Sequence, residues 1–237
     1  GSVSGEELLA VAETLAAARH LRRTLDDPKS QPNISKLLVN LTTLPELEKT
    51  LRFGLEEGGR IADRASNNLE QLRLKFLALR FERRNILQNL VRSCAPILQD
   101  SIIADRHGRP VLSVKASAAN KLPGLIHGSS ASGNTVFIEP KIVIQLSNQL
   151  VEIESHIFQE EQRLLKKWSE AVGEQSLLIE NLGKVFLQLD LALARWRYSN
   201  WLEGVPPILE KESNAPFVLK ELRHPLLIWQ ERFKQGD

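Results

Sequence analysis

The feature that most constrains this chain is a change of hydrophobic period, from helical to alternating and back, within one stretch of sequence. Leu69, Leu72, Phe76, Leu79, Ile86 and Leu90 keep a spacing of threes and fours, interrupted only where Arg83 falls on the stripe. That is a heptad-like seam of roughly 27 residues, or about 40 Å at 1.5 Å per residue. Pro96 closes it. Residues 101–139 are instead rich in Ser, Gly, Val and Ile, with turn signals at His107-Gly108, Asn120 and Gly128–Gly133. This pattern predicts strands at 101–105, 110–116, 121–127 and 134–139. Helical spacing resumes after Pro140. Leu146, Leu150, Ile153, Ile157, Leu164 and Trp168 line residues 141–172, and Leu178, Leu182, Val185, Leu189, Leu193 and Trp196 line residues 176–201. Gly204-Val205-Pro206-Pro207 ends that run.

The expected fold is therefore mainly α with a small β insertion. Helices of this length cannot be buried all round in a chain of this size, so they must project as arms. Residues 66–93 and 141–172 are expected to run as an antiparallel pair, with an antiparallel β unit at their far end. Upstream, Ser4-Gly5-Glu6-Glu7 fits a capping box opening a helix over 5–25, with Leu8, Val11, Leu15, Ala18, Leu21 and Leu25 on one face. Asp26-Asp27-Pro28 stops it, and a short helix is expected around 34–41. Thr43-Leu44-Pro45-Glu46 reads as a second capping box, for a helix ending at Gly58-Gly59.

Composition enters as a set of exclusions. Hydrophobic residues make up 42% and charged residues 25%, with only 5% aromatics, which fits a globular chain of amphipathic helices. The single cysteine, Cys94, excludes an internal disulfide framework and a cysteine-based zinc site, and points to a reducing compartment, the cytoplasm. No apolar run approaches the ~18 residues of a membrane span, and no membrane association is expected. Gly1-Ser2 in place of an initiator Met reads as a cloning remnant on an excised piece of a longer protein.

The candidate functional residues lie in the insertion. Arg106, Arg109, Lys115, Lys121 and Lys141 face only two acids there, Asp105 and Glu139, while the C-terminal third of the chain is acidic. Strands carrying Lys, Arg and Ser hydroxyls can contact nucleic-acid phosphates without reading sequence. No aromatics interleave with these cations, which argues against stacking on single-stranded bases. The run Gly128-Ser-Ser-Ala-Ser-Gly133-Asn134-Thr135 imitates a phosphate-binding loop, but Asn134 stands where that loop needs Lys. Val136-Phe137-Ile138, immediately after it, reads as a strand rather than a helix, so a hairpin tip is expected. The five histidines have no metal-ligand spacing, and His156 is assigned to a solvated helix face. Glu152, Glu154, Glu160 and Glu161 read as surface charge. Neither a catalytic residue nor a metal site is expected in this chain.

Three ordered motifs then carry a resemblance. They are Asp105-Arg106-His107-Gly108-Arg109-Pro110-Val111-Leu112-Ser113-Val114-Lys115, Leu122-Pro123-Gly124-Leu125-Ile126-His127, and Ser130-Ala131-Ser132-Gly133-Asn134-Thr135-Val136-Phe137-Ile138-Glu139-Pro140. Together they resemble the clamp region of the second branch of bacterial MutS proteins. Gly59-Arg60-Ile61-Ala62-Asp63-Arg64-Ala65-Ser66 resembles the turn opening that family's lever helix. Asp190 to Tyr198, followed by Arg223-His224-Pro225-Leu226-Leu227, resembles the lever's end and the start of an ATPase domain. The chain departs from the pattern at Pro110-Val111-Leu112, where a bulky residue is commoner after the Arg, and at Gly128, where Asp is common.

The resemblance implies a helical core and first lever helix at 3–97, a β-rich clamp at 98–140, returning lever helices at 141–204, and a linker into a truncated ATPase domain at 205–237. It implies a DNA-dependent ATPase as parent, with ATP and Mg held by that absent domain, no cofactor in this fragment, and an Smr-type nuclease domain in many members. The implied partners are double-stranded or branched DNA, in the suppression of recombination, and the implied parent is a homodimer. The alternatives are a clamp acting on stalled or collided ribosomes, or a dimerising helical scaffold.

Overall fold

The computed structural model describes residues 2–25, 34–35, 38–39, 41–209, 218–220 and 222–235. Helices α1 (Gly5–Thr24), α2 (Pro45–Gly54), α3 (Asn67–Ser93), α4 (Lys141–Glu174), α5 (Ser176–Leu202) and α6 (Pro225–Gln235) accompany four strands. These are β1 (Leu98–Arg106), β2 (Arg109–Lys115), β3 (Gly124–Ser129) and β4 (Thr135–Pro140). The chain divides into one unit of residues 1–19 and 43–175 and a second of residues 20–42 and 176–237.

The first unit holds the long helix pair. Arg73 reaches Glu161 at 2.6 Å and Arg83 reaches Ser147 at 3.4 Å, so position rises on α3 as it falls on α4. The pair is antiparallel, as the two seams require. Its base is packed by Leu8, Ala12, Leu51, Leu55, Ile61, Leu69, Leu164 and Trp168. Its other end carries the sheet, in the order β1-β2-β4-β3 with every neighbour antiparallel. Leu98, Leu112, Val114, Leu122 and Ile138 form a second core there, joined by Leu90 and Val91 from the end of α3. The alternation of β2 puts Leu112 and Val114 on that face and Arg109, Val111, Ser113 and Lys115 on the other. Val111 and Ser113 are also buried, so β2 is covered on both faces.

Local signals were obeyed where chemistry was complete. The first capping box forms reciprocally: Glu7 N donates to Ser4 Oγ at 3.3 Å, and Ser4 N donates to Glu7 Oε2 at 2.9 Å. The second does not form. Leu44 is the residue flanking α2, with no side-chain cap, and Pro45 takes the first helical position, where its missing N–H costs nothing. The helix ends at Gly54 rather than at Gly58-Gly59. Leu55 then bridges Ile61, so the two glycines turn a short loop. Gly54 sits under the Trp168 ring, where an added Cβ would meet Cζ2 at 2.3 Å.

The expected third strand also moves. Ala116–Lys121 is a 3₁₀ turn, and β3 begins only at Gly124. Ala116–Asn120 lacks β-branched residues, and Pro123 cannot donate to a ladder. Its carbonyl instead accepts from Lys141 N at 2.9 Å. The helix expected around 34–41 lies partly outside the described residues.

In the second unit, α5 buries only the first half of its seam, at Leu182 and Val185, while Leu193 and Trp196 are exposed. No described element of that unit covers them. Farther along, Arg232 stacks over Trp201 at 5.4 Å and approaches Glu203 at 3.5 Å, tying α6 to the end of α5. Among the described residues no helix is long and apolar enough to cross a membrane.

Candidate nucleic-acid interface

The geometry of the basic residues begins at the β1–β2 turn. Arg106 and Arg109 are directly paired across it, leaving His107 and Gly108 as a two-residue loop, both with positive φ (55° and 79°). Such a turn needs two left-handed residues, which is the usual reason for glycine at its second position. Asp105 Oδ1 fixes it by accepting from Gly108 N at 2.9 Å.

Like charges directly opposed in a sheet destabilise it. Here each guanidinium is diverted. Arg106 lies over the Phe137 ring at 4.3 Å, and Arg109 turns toward Glu139 Oε1 at 3.5 Å. Phe137 thus places an aromatic directly among the cations, contrary to the expectation that none interleaves. A ring already covered by guanidinium is not a free stacking platform, so the argument against base stacking survives on different ground.

Glu139 is the hidden centre of this region. It is 1% exposed, with His127 Nε2 2.9 Å from its Oε2. Oε1 has the Arg109 guanidinium nearby but no hydrogen bond. On α3, half-buried Arg83 faces the same cluster. Burial, then the charge of neighbouring Arg80, pulls its guanidinium below the ordinary range, while Glu139 and Asp105 oppose this. The only cue to Arg83 in the sequence was its interruption of an apolar seam. Nothing local marked Glu139 or His127.

The five candidate cations do not form one cluster. Lys115 sits at the opposite end of β2 from Arg109, about 20 Å away at 3.3 Å per residue, and its ammonium donates to Pro96 O at 3.2 Å. Lys141 opens α4 at the sheet end that carries the β1–β2 turn, beside the Gly124–Pro140 pairing, and Lys121 lies three residues before Gly124. Arg106, Arg109, Lys141 and Lys121 therefore line one end of the sheet, spread over its four strands. Three strand spacings make that end about 14 Å wide. Arg106, Lys121 and Lys141 are exposed.

The Ser/Gly-rich run occupies the other end of the sheet as a hairpin loop leading into β4, not into a helix. Its hydroxyls are turned inward: Ser130 Oγ accepts from Thr135 N at 3.2 Å and lies 3.3 Å from Ser132 Oγ.

At the base of the helix pair the reading of Glu160 as surface charge is overturned. Glu160 is 7% exposed and accepts from Ser66 Oγ at 2.7 Å and from Arg163 at 2.7 and 2.8 Å. The Arg163 bonds, against burial and with help from Ser66 and Asn68, bring its carboxyl down to about 2. Ser66 also caps α3 by accepting from Leu69 N at 3.3 Å. Arg73 adds bonds to Ile61 O at 2.9 Å, to Asp63 and to Glu161, tying the turn at 59–66 to both long helices. His156 is exposed, as assigned. Among the described residues no group of three or more His, Cys, Asp or Glu converges as for a metal.

No protein-family model matches the chain. Individual relatives do. Endonuclease MutS2 of Synechocystis is 40% identical over 237 residues, covering the whole chain and 29% of that protein. Endonuclease MutS2 of Pelotomaculum thermopropionicum is 37% identical over 225 residues, covering 94% of the chain and 28% of that protein. The Geobacillus protein of the same name is 32% identical over 234 residues, with 96% and 30% covered. The chain thus spans less than a third of the length of the curated relatives it matches.

Proposed function

With this chain placed as a segment of the MutS2 family from its first residue to its last, we propose that it supplies the lever and clamp with which a MutS-like ATPase holds double-stranded or branched DNA. The observation that carries this reading is the basic end of the sheet, where Arg106, Lys121 and Lys141 are exposed and Arg109 stands behind them. Cations spread over about 14 Å on a sheet suit a row of phosphates, and offer no fork of donors to a single base edge. The grip is therefore electrostatic and blind to sequence. In the whole protein, acting as a cytoplasmic homodimer, ATP and Mg bound outside this segment would drive the lever. The grip would serve suppression of recombination, and cutting of DNA would belong to another domain.

The test is fluorescence anisotropy with a labelled duplex and a labelled four-way junction, and competition by purified ribosomes, all at matched salt. Dissociation constants of about 10⁻⁴–10⁻⁶ M at physiological salt are expected, with steep salt dependence and no preference between duplex sequences. The combined change Arg106→Gln, Lys121→Gln and Lys141→Gln lowers the log–log salt slope by roughly 0.9 for each phosphate that is no longer neutralised. Unchanged affinity and slope would remove this end of the sheet as the DNA contact. Ribosomes competing far better than DNA would transfer the grip to ribosomal RNA or protein.

A further inference from the structure

Helix α3 carries a second apolar stripe that its pairing with α4 does not use. Glu70, Leu74, Leu77, Phe81 and Arg84 follow one another at spacings of four, three, four and three, a heptad phase of their own. Glu70, Leu74, Leu77 and Arg84 each come one residue after an inward-facing one (Leu69, Arg73, Phe76, Arg83), about 100° further around the helix. Leu74, Leu77 and Phe81 are 61%, 58% and 67% exposed.

The stripe is widened by α4. Phe158 and Val151, both exposed, come directly after the inward residues Ile157 and Leu150. In an antiparallel pair, a step one residue past the interface turns both helices to the same side. The register set by Arg73–Glu161 and Arg83–Ser147 puts Phe158 level with Leu74 and Val151 level with Phe81. Five large apolar side chains thus make one patch on the lever, about 10 Å long at 1.5 Å per residue.

The charges at its ends say what covers it. Glu70 and Arg84 are exposed, and each is seven residues from Leu77. A two-fold axis at Leu77 would set Leu77 on its own copy, Leu74 on Phe81, and Glu70 on Arg84. A parallel copy would set Glu70 against Glu70 and Arg84 against Arg84. We infer that this face docks a second copy of the chain, antiparallel about a two-fold axis at Leu77. Such an isologous contact closes after two copies. The patch is small, which makes the association weak and reversible. It is separate from the basic end of the sheet and does not depend on it.

The test is sedimentation velocity of the 237-residue chain across concentrations bracketing a weak Kd, from about 1 to about 300 µM. A reversible monomer–dimer equilibrium is expected. Leu77→Asp abolishes the dimer without altering the circular dichroism spectrum, since that side chain is largely in solvent. Glu70→Lys or Arg84→Glu alone weakens dimerisation about five-fold, and the double swap restores it. In a Cys94→Ser background, Leu77→Cys cross-links to itself under mild oxidation. Leu74→Cys does not, but its mixture with Phe81→Cys does. A monomer over the whole range, a dimer that survives Leu77→Asp, or Leu74→Cys self-linking as readily as Leu77→Cys would overturn the inference.

Discussion

Glu160 at the base of the helix pair and Glu139 in the sheet are both buried carboxylates, and they are held in opposite ways. Glu160 accepts from a hydroxyl and from both arms of Arg163, in near-ideal geometry. Glu139 has one good partner, His127, and an oxygen that takes no hydrogen bond although Arg109 stands 3.5 Å away. Burial of a charge is tolerated when its hydrogen bonds are complete, and is costly when they are not. The base of the lever is thus electrostatically finished, whereas the sheet end holds Arg83, Arg109 and Glu139 together without complete pairing. For a clamp the difference is instructive. The fixed end is the one that must transmit motion, and the end meant to meet a polyanion keeps cations whose charge its own acids do not fully use.

The largest expected effect breaks the finished end. Glu160→Gln should lower stability at neutral pH by on the order of 2–3 kcal/mol, because a carboxyl held near 2 rather than 4.5 stabilises the folded state by that order. The sign comes from the depressed value. The contribution is present above about 4.5 and is lost as pH falls through about 2. Urea denaturation across that window should show a declining stability for the parent that is flattened in the variant. Equal slopes, or a destabilisation below about 0.5 kcal/mol, would mean that the Arg163 and Ser66 bonds are not formed in solution.

A smaller effect is expected at the unfinished end. Glu139→Gln keeps a partner for His127 and removes a poorly solvated charge, so it should cost under about 1 kcal/mol. Arg109, being partly exposed, can turn to water. A destabilisation matching that of Glu160→Gln would show the two carboxylates to be equally well held and would erase the contrast between the two ends.

How far the sequence carried each region depends on the same physics. The antiparallel helices and the sheet between them were readable because period is a local property: α3 and α4 advertise their seams within a few turns, and β2 and β4 alternate cleanly. The misplaced start of β3 was local too, since Pro123 and the Ala-rich run before it spoke against a strand at 121. The close approach of Gly124 to Glu139 O, where a Cβ would fall 2.2 Å away, emerges only once β4 is in place. Glu160 could not be read as buried because its partner Ser66 lies 94 residues upstream. α3 also shows why a stripe is not a contact. Two heptad phases run along it, and the sequence reading took one of them, whereas burial falls most fully on Leu69 and Leu87. Among the basic residues, composition identified the region but could not separate cations aimed outward from those spent within the fold.

That separation yields the smallest expected effect and the sharpest use of the comparison. Lys115 lies at the far end of β2, with its ammonium on the Pro96 carbonyl, while Lys121 lies at the basic end. Both are exposed, and replacing either by Gln should change stability within about ±0.5 kcal/mol. Their effects on DNA should differ. Lys121→Gln lowers the salt slope for duplex binding by roughly 0.9, and Lys115→Gln leaves it unchanged, because counterions are released only where a cation meets a phosphate. Anisotropy titrations at three salt concentrations, with circular dichroism to confirm folding, resolve a difference of that size. Equal slopes for the two variants would mean that nucleic acid lies along the length of the sheet, over both ends, and that position at the basic end gives a cation no special role.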